Sequence, residues 1–138
     1  MSGASFLDSN VLIYTDDHGS PEKQAIALSL VEAGQANRDT FVSTQVLEEY
    51  FSATTKKLKV PADIARAKIE LFAQLHVVLI SVEDVLAAVD LHRLHHISFW
   101  DALLLQSARR AGCSTLLTED LQAGRRFDGV LIRNPFAA

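Results

Sequence analysis

Residues 4–14, ASFLDSNVLIY, limit the possible folds of this chain more than any other segment. The segment begins as a short apolar run typical of a buried strand and passes at Asp8 directly into an apolar helical pattern. In an open α/β sheet, ligands bind beyond the carboxyl ends of the strands, so Asp8 is a candidate site residue. A second interpretation stays open, because Asp, Ser and Asn are also the residues that favour the cap of a helix.

Further short apolar runs alternate with helical patterns along the chain, near residues 41–43, 77–80, 114–118 and 129–132. The continuous run at 77–80, VVLI, is typical of a strand covered on both faces. Alternation of this kind indicates a parallel sheet with helices on both sides. We therefore predict a single domain over residues 1–138, a three-layer α/β/α sandwich around a central parallel sheet of four to five strands.

The helices are predicted from apolar spacing and from Ser or Pro at their starts. One runs from Pro21 to Gly34, and another begins after Ser43 or Thr44. A helix over residues 62–75 is predicted to turn Ile64 and Leu71 toward the core. The remaining two follow Ser81 and Ser98, the first of them indicated by Val85, Leu86, Val89 and Leu91.

The composition excludes some classes of protein. The 138 residues are 49% hydrophobic and 22% charged, as in ordinary globular proteins, and no apolar run approaches the roughly 18 residues of a membrane span. The start of the chain lacks a secretory pattern, and the single cysteine, Cys113, fits a reducing cytoplasm. The net charge of −4 does not indicate a nucleic-acid-binding protein, although an acidic site that holds a cation is less negative than its formal charge.

Acidic residues stand at four predicted strand ends or helix starts, namely Asp8, the adjacent pair Glu48 and Glu49, Asp101 and Asp120. Each one alone is explained by the preference of helix N-termini for acids. Together, near the carboxyl ends of parallel strands, they favour a shared site. Clustered carboxylates repel one another unless a cation neutralises them, and oxygen ligands suit Mg²⁺ or Mn²⁺ better than zinc. Such a site predicts metal-assisted hydrolysis of a phosphodiester.

Four segments resemble, in order, the motifs of PIN-domain ribonucleases, in particular the VapC-like toxins. They are residues 6–12 (FLDSNVL), 43–50 (STQVLEEY), 98–104 (SFWDALL) and 116–122 (LLTEDLQ). In the second motif the acid comes two residues after the Val-Leu pair, which matches Glu49 and leaves the adjacent Glu48 as an alternative. The resemblance covers nearly the whole chain, including residues 132–136 (IRNPF).

The resemblance implies a Mg²⁺- or Mn²⁺-dependent endoribonuclease that cuts structured RNA such as tRNA or ribosomal RNA. Its quartet of catalytic, metal-binding acids would be Asp8, Glu49, Asp101 and Asp120. Asn10 and Thr118 would support the quartet, and Glu119 would join it if the turn directs this side chain inward. The resemblance also implies a cytoplasmic toxin that forms a homodimer and pairs with a cognate antitoxin, whose segment occupies the active-site groove.

Other enzyme classes fit the residues less well. A phosphatase of the haloacid-dehalogenase kind needs a second Asp two positions after the first, where this chain has Asn10. A receiver domain needs a Lys after a late strand, whereas the last Lys is Lys68. The alternative that remains is a binding or regulatory module with the PIN fold that does not cut RNA.

Three further features of the sequence are not assigned to the acidic site. His92 and His96 share a helix face, but no Cys or additional His accompanies them at the spacing of zinc ligands. Trp100 is interpreted as a core or groove-wall residue in preference to a platform on which bases stack. Arg109 and Arg110 lie at the far end of the Asp101 helix, so contact with phosphate is left open there.

Overall fold

The computed structural model describes residues 3–137, which form one six-stranded sheet flanked by helices. The strands are β1 (Ala4–Leu7), β2 (Thr40–Ser43), β3 (His76–Val78), β4 (Cys113–Leu117), β5 (Arg126–Phe127) and β6 (Val130–Arg133). The helices are α1 (Ser9–Tyr14), α2 (Pro21–Asn37), α3 (Thr44–Lys57), α4 (Ala62–Phe72), α5 (Val82–His95) and α6 (Phe99–Arg110). Within residues 3–137, no helix has the length and apolar character needed to cross a membrane.

The order of the strands creates a crevice beside β1. The sheet runs β3-β2-β1-β4-β6-β5, and β1 pairs in parallel with β2 on one side and with β4 on the other. The chain leaves β1 toward one edge and later returns to the opposite side, so the strand order reverses between β1 and β4. In doubly wound sheets, ligands bind beyond the carboxyl ends of the strands at such a switch point. Asp8 follows β1 there, and Thr118 follows β4.

The predicted α/β/α architecture is confirmed, with one short strand in addition. The five predicted strands are all present, and β5 pairs with β6 in antiparallel orientation through the two-residue turn Asp128-Gly129. Both turn residues adopt left-handed backbone, with φ of 49° and 87°, as the tight turns of hairpins require. Because β5 has only two residues and Arg126 is exposed, no apolar run marks it in the sequence.

Two predictions about buried faces are wrong. Residues 77–80 do not form a strand covered on both faces, because β3 ends at Val78 at the edge of the sheet and Leu79 beyond it is 69% exposed. Helix α4 stops at Phe72, and Ile64 and Leu71 point outward instead of into the core. Only Ala65 and Phe72 of α4 are buried. The face of α4 that packs on the core is therefore narrower than the number of its apolar residues suggests.

Helix α6 lies in the middle of the core. Residues 102–108 are all buried, and the helix packs against α5 and β4. These seven consecutive residues make almost two turns, so the middle of α6 is covered on every side. Ser98 caps the helix by accepting a hydrogen bond from the backbone amide of Asp101 at 3.1 Å. Asp101 is therefore held at the edge of a rigid element.

A polar contact fixes α3 on the other side of the sheet. Tyr50 is fully buried, and its hydroxyl donates a hydrogen bond to the carboxylate of Asp16. The same carboxylate accepts a hydrogen bond from Lys68 Nζ at 3.1 Å, so this ion pair connects α3 and α4 to the turn after α1. Burial, followed by the hydrogen bond to Asp16, raises the pKa of the Tyr50 phenol. This contact holds the turn of α3 that carries Glu49.

Candidate active site

Asp8 both caps a helix and faces the neighbouring strand. The residue is 2% exposed, and its Oδ1 accepts the backbone N–H of Ser9 at 2.6 Å at the start of α1. Its Oδ2 accepts a hydrogen bond from the Thr118 hydroxyl, at 2.7 Å, across the switch point. The capping and site interpretations of Asp8 are therefore compatible, because each uses a different oxygen.

Asn10 joins Asp8 to Asp120. Its Nδ2 lies 3.1 Å from Oδ2 of Asp120, 3.2 Å from the hydroxyl oxygen of Thr118 and 3.4 Å from Oδ2 of Asp8. The backbone N–H of Asp120 donates to the same Thr118 oxygen at 3.0 Å. The two carboxylates thus share one amide donor. Asn10 and Thr118 both contact Asp8, as supporting roles at this site would require.

Glu49 and Asp101 approach from α3 and α6 and are linked by a residue that sequence reasoning missed. The side chain of Gln45 donates through Nε2 to Glu49 Oε2 at 3.2 Å and to the backbone oxygen of Trp100 at 3.3 Å. Gln45 stands four residues before Glu49, a spacing that brings side chains together on a helix. This spacing was the feature of the sequence that could have indicated the contact between Gln45 and Glu49. Glu48, by contrast, is exposed on the outer side of α3.

The pKa values show that the four acids influence one another. Burial and, to a smaller extent, the charges of Asp120 and Glu49 raise the pKa of Asp8 from 3.8 to about 6, against the hydrogen bonds from Thr118 and Ser9. The pKa of Asp101 is also raised, first by burial and then, against the hydrogen bond to Ser98, by the charge of Asp120. Carboxylates from the end of β1, α3, α6 and the end of β4 therefore form a single electrostatic cluster.

Glu119 is held away from this cluster by a cation and a phenol. Tyr14 donates its hydroxyl hydrogen to Glu119 Oε1 at 2.6 Å, and Lys23 Nζ donates to Oε2 at 3.0 Å. The hydrogen bond to Glu119 is also the main reason that the pKa of Tyr14 is raised. Since both oxygens of Glu119 are engaged, it is Asp120 that this turn directs toward Asn10 and the other acids.

An open cavity of about 430 Å³ lies in front of the cluster. Asn10, Glu49 and Asp120 contribute to its walls, and Lys57 from the end of α3 is the basic side chain among its lining residues. The lining of the cavity thus combines several acids with one lysine, a composition suited to an anionic ligand bound through a metal ion.

The fit to a metal ion rests on the chemistry of the ligands. Within residues 3–137, no three His, Cys, Asp or Glu side chains are arranged as a ready metal centre. The available donors are carboxylate and amide oxygens, and Asn10 Oδ1 is buried without a hydrogen-bond partner among the residues that the structure describes. Mg²⁺ retains several waters and is commonly held by one or two carboxylates together with substrate phosphates. The donor set therefore suits a hydrated hard cation.

The histidines and arginines that were not assigned to the acidic site contact other parts of the protein. His92 Nδ1 is hydrogen-bonded with the backbone oxygen of Ile97, and the ring of His95 packs edge-on against Phe127. Arg110 binds Asp84, and Arg109 binds Asp128 at 3.0 Å. Neither arginine contributes to the cavity near the acids.

The sequence matches a known family over most of its length. The family described as PIN domain matches residues 5–128. The chain therefore belongs to the PIN domain family. No curated protein sequence matches it.

Solved structures with the same fold include toxins and toxin–antitoxin complexes. One is a toxin–antitoxin complex from Klebsiella pneumoniae, with a TM-score of 0.68, 18% identity, and coverage of 96% of this chain and 98% of that chain. VapBC2 from Rickettsia felis, bound to a DNA fragment from its promoter, gives a TM-score of 0.69 at 18% identity, covering 95% and 98%. Mycobacterium tuberculosis VapC20, a sarcin-ricin loop cleaving toxin, gives 0.65 at 19% identity, covering 82% and 87%.

Proposed function

We propose that this protein is a Mg²⁺- or Mn²⁺-dependent endoribonuclease and the toxin of a toxin–antitoxin pair. The observation that carries the proposal is the buried carboxylate of Asp8, whose pKa is raised to about 6 by burial and by two neighbouring acids. Buried carboxylates that raise one another's pKa are stabilised when a bound cation neutralises them, whereas a module that only binds a partner has no need of such a cluster. Membership of the PIN domain family and the likeness in fold to VapBC proteins support the same function.

In this proposal the four acids hold the ion, directly or through its waters: Asp8, Glu49, Asp101 and Asp120. A bound ion supplies positive charge beside the phosphate and lowers the pKa of a coordinated water. The other groups set the positions of these ligands. Thr118 and the Ser9 amide orient Asp8, Asn10 spaces Asp8 from Asp120, and Gln45 orients Glu49.

The proposed substrate is structured RNA such as tRNA or ribosomal RNA, in line with VapC20, which cleaves the sarcin-ricin loop. Lys57 is placed to contact a phosphate of the bound strand, because it lines the same cavity as Glu49 and Asp120. We also propose a cognate antitoxin that covers this cavity. A basic side chain from the antitoxin would complement the acids.

The direct test is cleavage of total bacterial RNA by purified protein with Mg²⁺ or Mn²⁺, with EDTA as the metal-free arm. Asp8→Asn and Asp101→Asn should reduce the metal-dependent fragments to background while the circular dichroism spectrum stays that of the wild type. Asp90→Asn, on the exposed side of α5, is the matched control and should cleave normally. Binding of Mn²⁺, followed by electron paramagnetic resonance, gives a readout that does not depend on turnover.

The second candidate is a PIN-fold binding module without nuclease activity. It is favoured by the observation that no three acids within residues 3–137 are arranged as a ready metal centre. Under that alternative the wild type and Asp8→Asn proteins behave alike in the cleavage assay and bind Mn²⁺ equally weakly. Metal-dependent fragments that disappear in both Asn variants would exclude it.

A further inference from the structure

Trp100 is exposed where a structural tryptophan would be buried. It is the second residue of α6, directly before Asp101, and 61% of its surface is accessible to solvent. Its ring meets Phe99 edge-on, with centroids 5.2 Å apart, and leaves much of the indole open. The indole is the largest apolar ring among the side chains, and tryptophans are highly buried on average. The prediction that Trp100 belongs to the core is wrong, and its exposure allows both a groove wall and the platform for bases that the sequence disfavoured.

The exposed indole borders a cavity next to the candidate active site. This cavity measures about 360 Å³ and is lined by Gln45, Glu48, Glu49, Ser52 and Trp100. Glu49 also lines the larger cavity that contains Asn10 and Asp120. The two cavities are therefore neighbours on either side of one acid. A chain whose phosphate reaches the acids from the Lys57 side would carry an adjacent nucleotide to Trp100.

Gln45 adds an unsatisfied polar group to the lining of this cavity. The residue is 4% exposed, and both contacts of its Nε2 are made within the protein, to Glu49 and to the backbone of Trp100. Its Oε1 is buried and has no hydrogen-bond donor among residues 3–137. Buried acceptors without a partner are rare, because each has lost its hydration and gained no hydrogen bond in return. This oxygen has almost no exposed surface in the free protein, so an N–H donor in the cavity would satisfy it once the amide turns toward the cavity.

We propose that the cavity between Trp100 and Gln45 binds one unpaired nucleobase of the RNA, next to the nucleotide at the acidic cluster. The base stacks on the exposed indole, and the Gln45 amide turns so that its Oε1 accepts an N–H of the base. The carboxylates of Glu48 and Glu49 disfavour a phosphate inside this cavity, so the base enters it and the backbone stays on the Lys57 side. Stacking of unpaired bases on aromatic side chains is a general mode of RNA recognition. The inference rests on the proposed ribonuclease function.

Trp100 is the single tryptophan of the chain, so its fluorescence reports on this cavity alone. The experiment titrates the Asp8→Asn variant, which is expected to bind RNA without cutting it, with a single-stranded RNA heptamer of mixed sequence. We expect saturable quenching of the indole emission. The same heptamer with abasic positions should bind more weakly and quench little, because the sugar and phosphates remain but no base can stack.

The matched variants separate stacking from general binding. By anisotropy of a labelled heptamer, Trp100→Ala should weaken binding about tenfold, whereas Trp100→Phe should retain most of it. Leu94→Ala, which truncates another exposed apolar residue, should bind as the unmodified protein does. Both positions are exposed, and a thermal melt checks that each variant is folded.

The outcomes distinguish failure of this inference from failure of the ribonuclease assignment. If the wild type cleaves RNA but the heptamer leaves the indole emission unchanged and Trp100→Ala binds normally, the base site is wrong and the ribonuclease stands. If the wild type neither binds nor cleaves any RNA, the proposed function fails and the base site falls with it. An indole that responds only to a protein partner and never to RNA also overturns the base site.

Discussion

At the scale of single residues, Asp8 is subject to two opposing influences. Burial raises the pKa of its carboxyl group, and the hydrogen bonds from Thr118 and Ser9 lower it by a smaller amount. The result, about 6, means that the metal-free protein must ionise a buried acid at neutral pH. A group whose pKa is raised on folding favours the folded state below its unfolded pKa, and this advantage is lost as the pH rises through the folded pKa.

The first prediction follows from that pKa. In EDTA, the difference in free energy of unfolding between Asp8→Asn and the wild type should grow by roughly 2 kcal/mol in favour of Asp8→Asn between about pH 4 and pH 7. Asn is as good a helix cap as Asp, so α1 is not weakened. Urea unfolding at both pH values measures the difference, and Asp90→Asn is the control. A difference that does not change with pH would contradict the raised pKa of Asp8.

The sequence identified part of the candidate site because some of its residues have a local signature. Asp8 and Asp120 follow apolar strands, and that alone placed them at one edge of the sheet. The choice between Glu48 and Glu49 could be resolved only by the orientation of α3. The ion pair of Glu119 could not be predicted either, since its partner Lys23 lies 96 positions away in the chain. Contacts over such separations carry no local pattern.

At the scale of secondary-structure elements, one buried carboxylate joins α5 to α6. Asp84 is 1% exposed and completes the capping box at the start of α5 with Ser81. Arg110, at the end of α6, donates to both Asp84 oxygens at 2.7 Å. Burial raises the pKa of Asp84, but the hydrogen bonds from Arg110, Ser81 and Gln106 outweigh it and bring the pKa down to about 2. This ion pair fixes the far end of the helix that carries Asp101.

The second prediction is that Arg110→Met destabilises the protein by about 2–3 kcal/mol, because it leaves a buried carboxylate without its cation. The neighbouring Arg109→Met is the matched control. Its ion pair with Asp128 joins side chains that are 39% and 42% exposed, so the expected loss is below about 1 kcal/mol. Chemical denaturation near pH 7 measures both variants. Equal losses of stability in the two variants would contradict the larger contribution expected of the buried Arg110–Asp84 pair.

Helix caps were predictable from sequence, whereas the outward faces of helices were not. Ser43, Ser81 and Ser98 cap their helices as their position before apolar patterns indicated. In α5, however, apolar residues occur all around the helix, and Leu86 is 60% exposed while Leu91 is buried. An apolar side chain looks the same in sequence whether it contacts the core or another molecule, so the pattern alone could not assign these faces.

At the scale of the whole molecule, the outer face of α5 and the end of β3 form an exposed apolar surface. Leu79, Val82 and Leu86 are each 60–70% exposed, and Val85 and Val89 extend the surface along the helix. Monomeric proteins rarely leave so many neighbouring apolar side chains in water. A homodimer, which the resemblance to VapC-like toxins implies, would give this surface a partner of the same chemistry, namely its own copy.

The third prediction concerns that assembly. The wild type should sediment at twice the 15.1 kDa of the chain, and Leu86→Glu should sediment as a monomer, because two carboxylates would face each other in a symmetric interface. Leu28→Glu, on α2, is the control for introducing a charge at an exposed leucine. Analytical ultracentrifugation distinguishes the two masses. A wild type that remains monomeric at high concentration would contradict the proposed dimer.

The position of β1 in the centre of the sheet has a consequence for the newly synthesised chain. Asp8 leaves the ribosome long before Thr118 and Asp120, which complete its surroundings and are made more than a hundred residues later. A nascent chain can pair β1 with β2, but β4 has not yet been translated. If the chain is the proposed ribonuclease, its active site is therefore incomplete until the strand on the far side of β1 has emerged from the ribosome.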